Sequence, residues 1–340
     1  MYFYRKHIEE NLPVVDSPEV VGLNQNADLT FRLQEASLFF DTILETQPRG
    51  GGGGGKSPEE IVTEMCNEFL TKVPSNFSKD EVRTSLNKMG ITKPVIIAFR
   101  QEMDVMAKVV NTVRSTLKNL KLAMEGTIVM SDDLANALDS MFNAKVPALW
   151  LKGNWFSPTV GVWFGIMLAR FEQWDRWLKQ GRPKSYWLPG FSNGSGFLTA
   201  VKQEVARANT GWALDDVVTF TEVHKLDFEE VREAPAMGIY VHGLYLEGAS
   251  WSKKESHLIE AARGELIKLL PCMFITGVLK QQKKNDPLAY ECPVYFRFDA
   301  RKRGLTAAQP NYMFSPEIKS VDPPTKWILR GVALLTYPGD

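Results

Sequence analysis

The sequence predicts an α+β fold in which a helical first half runs into a strand-rich second half. Three observations carry the prediction. Between Phe99 and Leu120 the residues Phe99, Met103, Met106, Val110, Val113, Leu117 and Leu120 recur in alternating steps of four and three, which sets them on one stripe of a helix. Six of the nine tryptophans fall between Trp150 and Trp187. Because each aromatic side chain buries on the order of 150–250 Å², such a run marks a packing centre or a face that another domain covers. Beyond Trp212 the texture changes to short runs of valine, tyrosine, phenylalanine and threonine between Gly, Pro and Asp clusters.

Taken in order, Leu33 to Thr46 reads as helix. Ser57, Pro58, Glu59 and Glu60 open a second one, with a serine cap, a proline suited to the first turn and a glutamate placed to cap back. The Phe99–Leu120 helix is stopped by Gly126, and Ser131, Asp132 and Asp133 open a short one. From Val160 to Leu178, the residues Val160, Trp163, Phe164, Met167, Phe171, Trp174 and Leu178 share one helical face, flanked by Trp177, while Arg170, Asp175 and Lys179 fall elsewhere. A last helix, Phe197 to Ala208, follows the loose Ser192–Gly196 segment, and the helical half ends near Asn209 to Gly211. Strands are expected over Val217–Val223, Gly238–Leu246, Cys272–Leu279, Tyr290–Phe298 and Ile328–Thr336, forming a mostly antiparallel sheet curled into a sandwich or barrel. Pro293 puts its strand at an edge or a bulge. No internal repeat is visible.

The 340 residues leave room for two domains at the usual ~150 each. Lys plus Arg and Asp plus Glu both total 40, so no net charge draws the protein toward nucleic acid, membrane or an acidic filament. Three cysteines, Cys66, Cys272 and Cys292, without CxxC spacing fit a reducing compartment. The start Tyr2-Phe3-Tyr4-Arg5-Lys6 lacks the apolar core of a secretion signal, and no apolar run approaches the ~18 residues that span a bilayer. A soluble intracellular protein is expected.

Gly50 to Ser57, GGGGGGKS, satisfies the letter of the phosphate-binding pattern G-x-x-x-x-G-K-[ST]. A working phosphate loop follows a buried strand, which holds its backbone N–H groups on the phosphates. Here helix precedes it, six consecutive glycines leave it unorganised, and Ser57 is better used as a helix cap, so it reads as a flexible connector, 50–55. The histidines His7, His224, His242 and His257 show no metal-ligand spacing, and His242 reads as a half-buried packing residue in a strand. Cys272 and Cys292 could neighbour each other across paired strands as small hydrophobes. No G-x-S-x-G occurs; Gly194-Ser195-Gly196 reads as a turn. Lys253-Lys254, Lys283-Lys284 and Arg301-Lys302-Arg303 read as solvated loop charges, one of which could meet an acidic partner face. No catalytic, cofactor-binding or metal-ligating residue is assigned.

Seven collinear blocks then carry a resemblance: PEVVGLNQNADLT (18–30), TQPRGGGGGGKS (46–57), VPALWLK (146–152), YWLPGF followed by GFLTA (186–200), GIYVHGLYLEGASW (238–251), YECPVY (290–295) and WILRGVALL (327–335). In order and spacing the sequence resembles the C-terminal region of dynein heavy chains, and its glycine connector resembles axonemal members, most of all single-headed inner-arm dyneins. It departs from that family's pattern at Pro189–Gly196, where relatives carry a phenylalanine-rich stretch ending in Pro-Gln, and follows it only loosely over Asn154–Gly165.

The resemblance implies three parts: residues 1–23 as the tail of the small subdomain of the sixth ATPase module, 24–211 as a helical region, and 212–340 as an incomplete β-barrel. Since dynein heavy chains are far longer, it implies a fragment whose Met1 is an expression start. It further implies a non-catalytic structural and regulatory element that docks on the ATPase ring and modulates force or processivity. ATP and Mg would be bound only by modules upstream. The expected partners are ring modules of the same heavy chain and dynein regulators, without nucleic acid, membrane or direct microtubule contact, in the axoneme of cilia and flagella. Two other readings stand beside it: a nucleotide-dependent enzyme built on GGGGGGKS, and a free-standing protein-binding adaptor.

Overall fold

A computed structural model describes residues 2–11, 17–46, 56–296 and 312–336. The glycine connector 50–55 and the Arg301-Lys302-Arg303 cluster lie outside the described residues. The helices are α1 (Tyr2–Asn11), α2 (Ala27–Thr46), α3 (Pro58–Lys72), α4 (Lys79–Met89), α5 (Pro94–Met124), α6 (Asp132–Phe142), α7 (Ala148–Leu151), α8 (Val160–Gln180), α9 (Gly194–Ala208) and α10 (Pro324–Arg330). All but α10 precede residue 209.

The α5 stripe behaves as its spacing dictates: all seven positions from Phe99 to Leu120 are buried. Its C-terminus gives way to Gly126 at φ +75°, a left-handed conformation in which a side chain would be strained. Ser131 caps α6 by accepting the Leu134 N–H at 3.4 Å, and α3 starts with a complete capping box between Ser57 and Glu60. The tryptophan run forms the packing centre. Phe99 stacks on Trp177 with ring centroids 4.1 Å apart, Phe69 stacks on Phe164 at 4.2 Å, Phe191 stacks on Phe197 at 4.0 Å, and Trp150, Trp163, Trp174 and Trp177 are fully buried. Arg170 departs from its expected place. Assigned off the apolar face of α8, it is buried nonetheless, because the loop 188–193 and Trp155 cover that side of the helix.

The strands are β1 (Tyr186–Trp187), β2 (Val217–Val223), β3 (Ile239–His242), β4 (Tyr245–Glu247), β5 (Ser250–Ser252), β6 (His257–Ile259), β7 (Ile267–Leu269), β8 (Met273–Leu279), β9 (Tyr290–Glu291), β10 (Val294–Tyr295), β11 (Tyr312–Phe314), β12 (Glu317–Ile318) and β13 (Ala333–Leu335). They form a four-stranded sheet, β1-β3-β8-β2, a five-stranded sheet, β11-β10-β13-β4-β7, and two two-stranded ribbons. Pairing is antiparallel except for β1 with β3 and β10 with β13. Neither larger sheet closes on itself among the described residues, so the β half is an open arrangement.

Three expected strands are altered by local chemistry. Ile328–Thr336 is not one strand: its first residues belong to α10, which Pro324 starts in the first turn and Gly331 ends in a left-handed cap at φ +69°. Only Ala333–Leu335 is extended. Gly238–Leu246 divides into β3 and β4 at Gly243, whose φ of +86° lies against the Trp187 ring, where an added Cβ would come within 2.6 Å. Tyr290–Phe298 divides at Pro293, with a register shift between Val294 and Tyr295, the bulge that proline implies; its end from residue 297 lies outside the described residues. Cys272 and Cys292 are not neighbours across a ladder, since Cys272 precedes β8 of one sheet and Cys292 lies between strands of two others.

The two halves share a core. Helix α9 packs on α5 on one side and on β2 and β8 on the other, and one apolar cluster runs from Val62 to Leu334.

Candidate functional site

The phosphate-loop pattern is not framed as a nucleotide site. The element before it is α2, a helix of twenty residues, so the strand that would anchor a phosphate cradle is replaced by helix. Lys56 pairs with Glu64, Nζ to Oε2 at 2.7 Å, and the Ser57 hydroxyl accepts the Glu60 N–H at 3.2 Å. The lysine and the serine of the pattern are thus both engaged by α3.

A polar cluster without a local sequence signature lies where β1 meets β3. The Ser185 Oγ is 2.8 Å from His242 Nδ1 and 3.5 Å from the Cys272 Sγ. The arrangement resembles a nucleophile beside a base, but its electrostatics oppose catalysis. Burial pushes the His242 imidazole down to about 4 and pushes the Cys272 thiol up. A general base works best with a pKa near the operating pH, and a nucleophilic cysteine needs a lowered one. His242 instead stacks on Phe228 with centroids 4.4 Å apart, as a packing residue. Cys66 and Cys292 are buried and free, with their thiols pushed up by burial. No group of three His, Cys, Asp or Glu side chains converges at metal-ligand spacing among the described residues, and no helix there is long and apolar enough to cross a membrane.

The most heavily built polar arrangement is a clamp that fastens the N-terminal segment to the β half. Asn26, only 2% exposed, donates from Nδ2 to the carbonyls of Ala262 at 2.9 Å and Glu265 at 3.0 Å. Its Oδ1 accepts the Gly264 N–H at 2.8 Å. Asn24 donates from Nδ2 to the Arg330 carbonyl at 3.0 Å and turns its Oδ1 to the Asn26 N–H at 3.0 Å. Gln25 donates to the Ala261 carbonyl. In return Arg330, at the end of α10, donates from Nη1 to the Leu23 carbonyl at 2.7 Å. Backbone groups of a loop that a ladder cannot reach are satisfied by side-chain amides, which carry donor and acceptor together. The sequence signal for this clamp is the Asn-Gln-Asn of the PEVVGLNQNADLT block, although residue types alone do not reveal its partners.

Beyond the clamp the protein presents apolar surface to solvent. On α2, Phe39 and Phe40 are 64% and 62% exposed, and Phe31, Leu33, Leu38 and Ile43 are exposed as well. On α1, Tyr2, Phe3, Tyr4 and Ile8 are exposed. Folded proteins seldom leave so many large apolar side chains in water without a partner.

A sequence profile for the C-terminal domain of dynein heavy chains matches residues 33–336. The protein belongs to that family. Among curated relatives it is 43% identical over 333 residues, 98% of its length, to dynein axonemal heavy chain 5 of Mus musculus. It is 42% identical over 327 residues, 96% of its length, to dynein axonemal heavy chain 8 of Homo sapiens. It is also 43% identical over 332 residues, 96% of its length, to the dynein gamma chain, flagellar outer arm, of Chlamydomonas reinhardtii. It spans about 7% of the length of each of these relatives. One of them is by name an outer-arm dynein, so the likeness to inner-arm dyneins read from the glycine connector does not separate the subtypes. In this dynein C-terminal domain the clamp begins ahead of the matched span: Asn24 and Asn26 precede residue 33, while Ala262 and Arg330 lie within it.

Proposed function

We propose that this protein is a non-catalytic structural and regulatory region of an axonemal dynein heavy chain, docking on the ATPase ring of the same polypeptide and modulating microtubule-based motility in cilia and flagella. The observation that carries this reading is the number of large apolar side chains that α2 leaves exposed, Phe31, Leu33, Leu38, Phe39, Phe40 and Ile43, on a helix that leads out of the Asn26 clamp on the β half. What covers them is the preceding part of the same heavy chain: the relatives extend far beyond the span matched here, and the family profile begins only at residue 33. Residues 1–23 then belong to the small subdomain of the sixth ATPase module, and the C-terminal region proper begins after them. The names of the relatives, axonemal and flagellar, support the location.

Docking regulates only through difference. A rigid slab biases a ring between two conformations by as much as its contact with one exceeds its contact with the other. Typical couplings are about 1–3 kcal/mol, within reach of a few buried phenylalanines at about 1.5–3 kcal/mol each. ATP and Mg belong to upstream modules, microtubules are contacted elsewhere in the heavy chain, and dynein regulators would reach the loops of the β half.

The test is a full-length heavy chain with Phe39→Asp and Phe40→Asp. Run length or stall force should change while ATP hydrolysis persists. Motility indistinguishable from the parent motor would refute the reading.

A further inference from the structure

Strands β3 and β4 run beside β8 and β7 in one unbroken antiparallel register, from Ile239 opposite Ile275 to Glu247 opposite Ile267. On its other side β8 is paired by β2 as far as Val223 opposite Met273. Two more bonds continue that pairing, His224 N–H to the Cys272 carbonyl at 2.7 Å and Cys272 N–H to the Leu226 carbonyl at 3.1 Å. There the partner turns away, the Glu230 N–H closing back on the Asp227 carbonyl at 3.0 Å. Strand β7, just before Pro271, therefore has β4 on one side and no strand on the β2 side among the described residues.

The phase of the ladder decides what that edge offers. Leu270 donates its N–H to the Leu244 carbonyl at 2.9 Å, so by antiparallel alternation Lys268 also faces β4, whereas Ile267 and Leu269 turn their N–H and C=O groups outward. No partner for these outward groups occurs among the described residues. An unpaired edge is a template for another chain. Lys268, whose charge could guard it, is turned back onto Glu265, Nζ to Oε1 at 2.8 Å.

A cavity of about 770 Å³ lies beside the edge, walled by Trp187, Phe228, Tyr245 and Trp251 and bordered by Leu269. Leu269 is 49% exposed and Phe228 44%. Opposed residues of a ladder share a face, so Leu269 lies with Tyr245, and a residue added opposite Leu269 sets its side chain over the cavity. Lys253 pairs with Asp227 and Lys268 with Glu265, which leaves Glu229, exposed at the rim, without a cation among the described residues. In a chain antiparallel to β7, the residue two places before the one opposite Leu269 shares its face and points toward the 227–230 turn, where a basic side chain meets Glu229.

We propose that β7 and this cavity form a strand-addition site for an extended peptide segment of a partner protein. The segment carries aromatic or branched apolar side chains opposite Leu269 and Ile267, and a lysine or arginine two residues ahead of the first. The site stands apart from the apolar side chains exposed on α2 and does not depend on them.

The probe is the peptide acetyl-Lys-Thr-Phe-Thr-Val-Thr-amide, titrated calorimetrically into the 340-residue protein. Saturable 1:1 binding is expected. Methylating the backbone nitrogens of Phe and Val, which donate to β7, should weaken it at least about tenfold, whereas methylating those of the first two Thr, which face away, should weaken it less than about twofold. Glu in place of the probe's Lys should weaken binding about three- to fivefold at low salt, and Glu229→Lys should invert that preference. Leu269→Pro deletes an outward N–H and no bond to β4, a change that edge strands tolerate, and should abolish binding with the far-ultraviolet circular dichroism unchanged. Absence of binding to the parent protein, equal weakening by the two methylation patterns, no preference for the Lys form, or binding unaltered by Leu269→Pro would each overturn the assignment. So would a dimer in sedimentation that Leu269→Pro dissolves, since a second copy would then occupy the edge. Should Leu269→Pro not fold, the two methylated peptides still decide it.

Discussion

Arg330 donates from Nη1 to the carbonyl of Leu23 at 2.7 Å, joining residues 307 positions apart in sequence. Asn24 answers one residue later by donating to the carbonyl of Arg330 itself. The segment leading into α2 is thus tied to the end of α10 from both sides.

The strongest member of the clamp is Asn26. Asn26→Ala would leave the Ala262 and Glu265 carbonyls and the Gly264 N–H without their partner. At about 1–3 kcal/mol for each buried group that water cannot fully reach, a loss of roughly 3 kcal/mol is expected. Urea unfolding of parent and variant, compared at equal slope, measures it; a difference under ~1 kcal/mol would show that the clamp is dispensable.

The Gly-Lys-Ser sequence should behave as a helix start. Ser57→Ala removes a side-chain cap from α3 and is expected to cost about 1 kcal/mol. Lys56→Ala removes only an exposed pair with Glu64 and should move stability by less than ~0.5 kcal/mol. Neither substitution should alter the response to added Mg-ATP in a thermal melt. An ATP-dependent rise in melting temperature that Lys56→Ala abolishes would restore the nucleotide reading.

His242 sets a pH dependence whose sign follows from burial. Its imidazole is held down at about 4 in the folded protein against an ordinary value of 6.5, so between these values the unfolded state binds more protons. Stability is therefore intact above pH ~6.5 and falls as the pH drops toward ~4, by at most about 3 kcal/mol from this one group. His242→Asn should show a flatter profile across that window, read as the difference between the two unfolding curves. Parallel profiles would mean that the imidazole protonates in place.

In the core, Phe99→Ala removes a fully buried ring that stacks on Trp177 and packs against Trp174. A loss of about 3–5 kcal/mol is expected from transfer and cavity terms together. Ile97→Ala, two residues earlier on the same helix and exposed, should cost under ~1 kcal/mol. Equal costs would contradict the assignment of the α5 stripe to the core.

Whatever rests on short-range chemistry is legible in the order of residues alone. The 3.6-residue period of α5, the reciprocal caps at Ser57 and Glu60, the cap at Ser131, the stop at Gly126 and the Val217–Val223 strand can all be read because each depends on residues within one or two turns. Collinear blocks carry the family as well. Short strands such as β5, β6 and β12 leave no such trace because two or three residues show no readable alternation, and Ile328–Thr336 misleads because its β-branched and apolar residues outweigh Pro324 and Gly331. Long-range packing is what buries Arg170, brings Glu102 to the loop at Ser192, sets Ser185 against His242, and lets Asn26 grip the loop at Ala262. Each of these joins a side chain to groups 19 to 236 residues away, and a single side chain's hydrogen-bonding capacity names what it can bind but not which distant backbone the fold will bring to it.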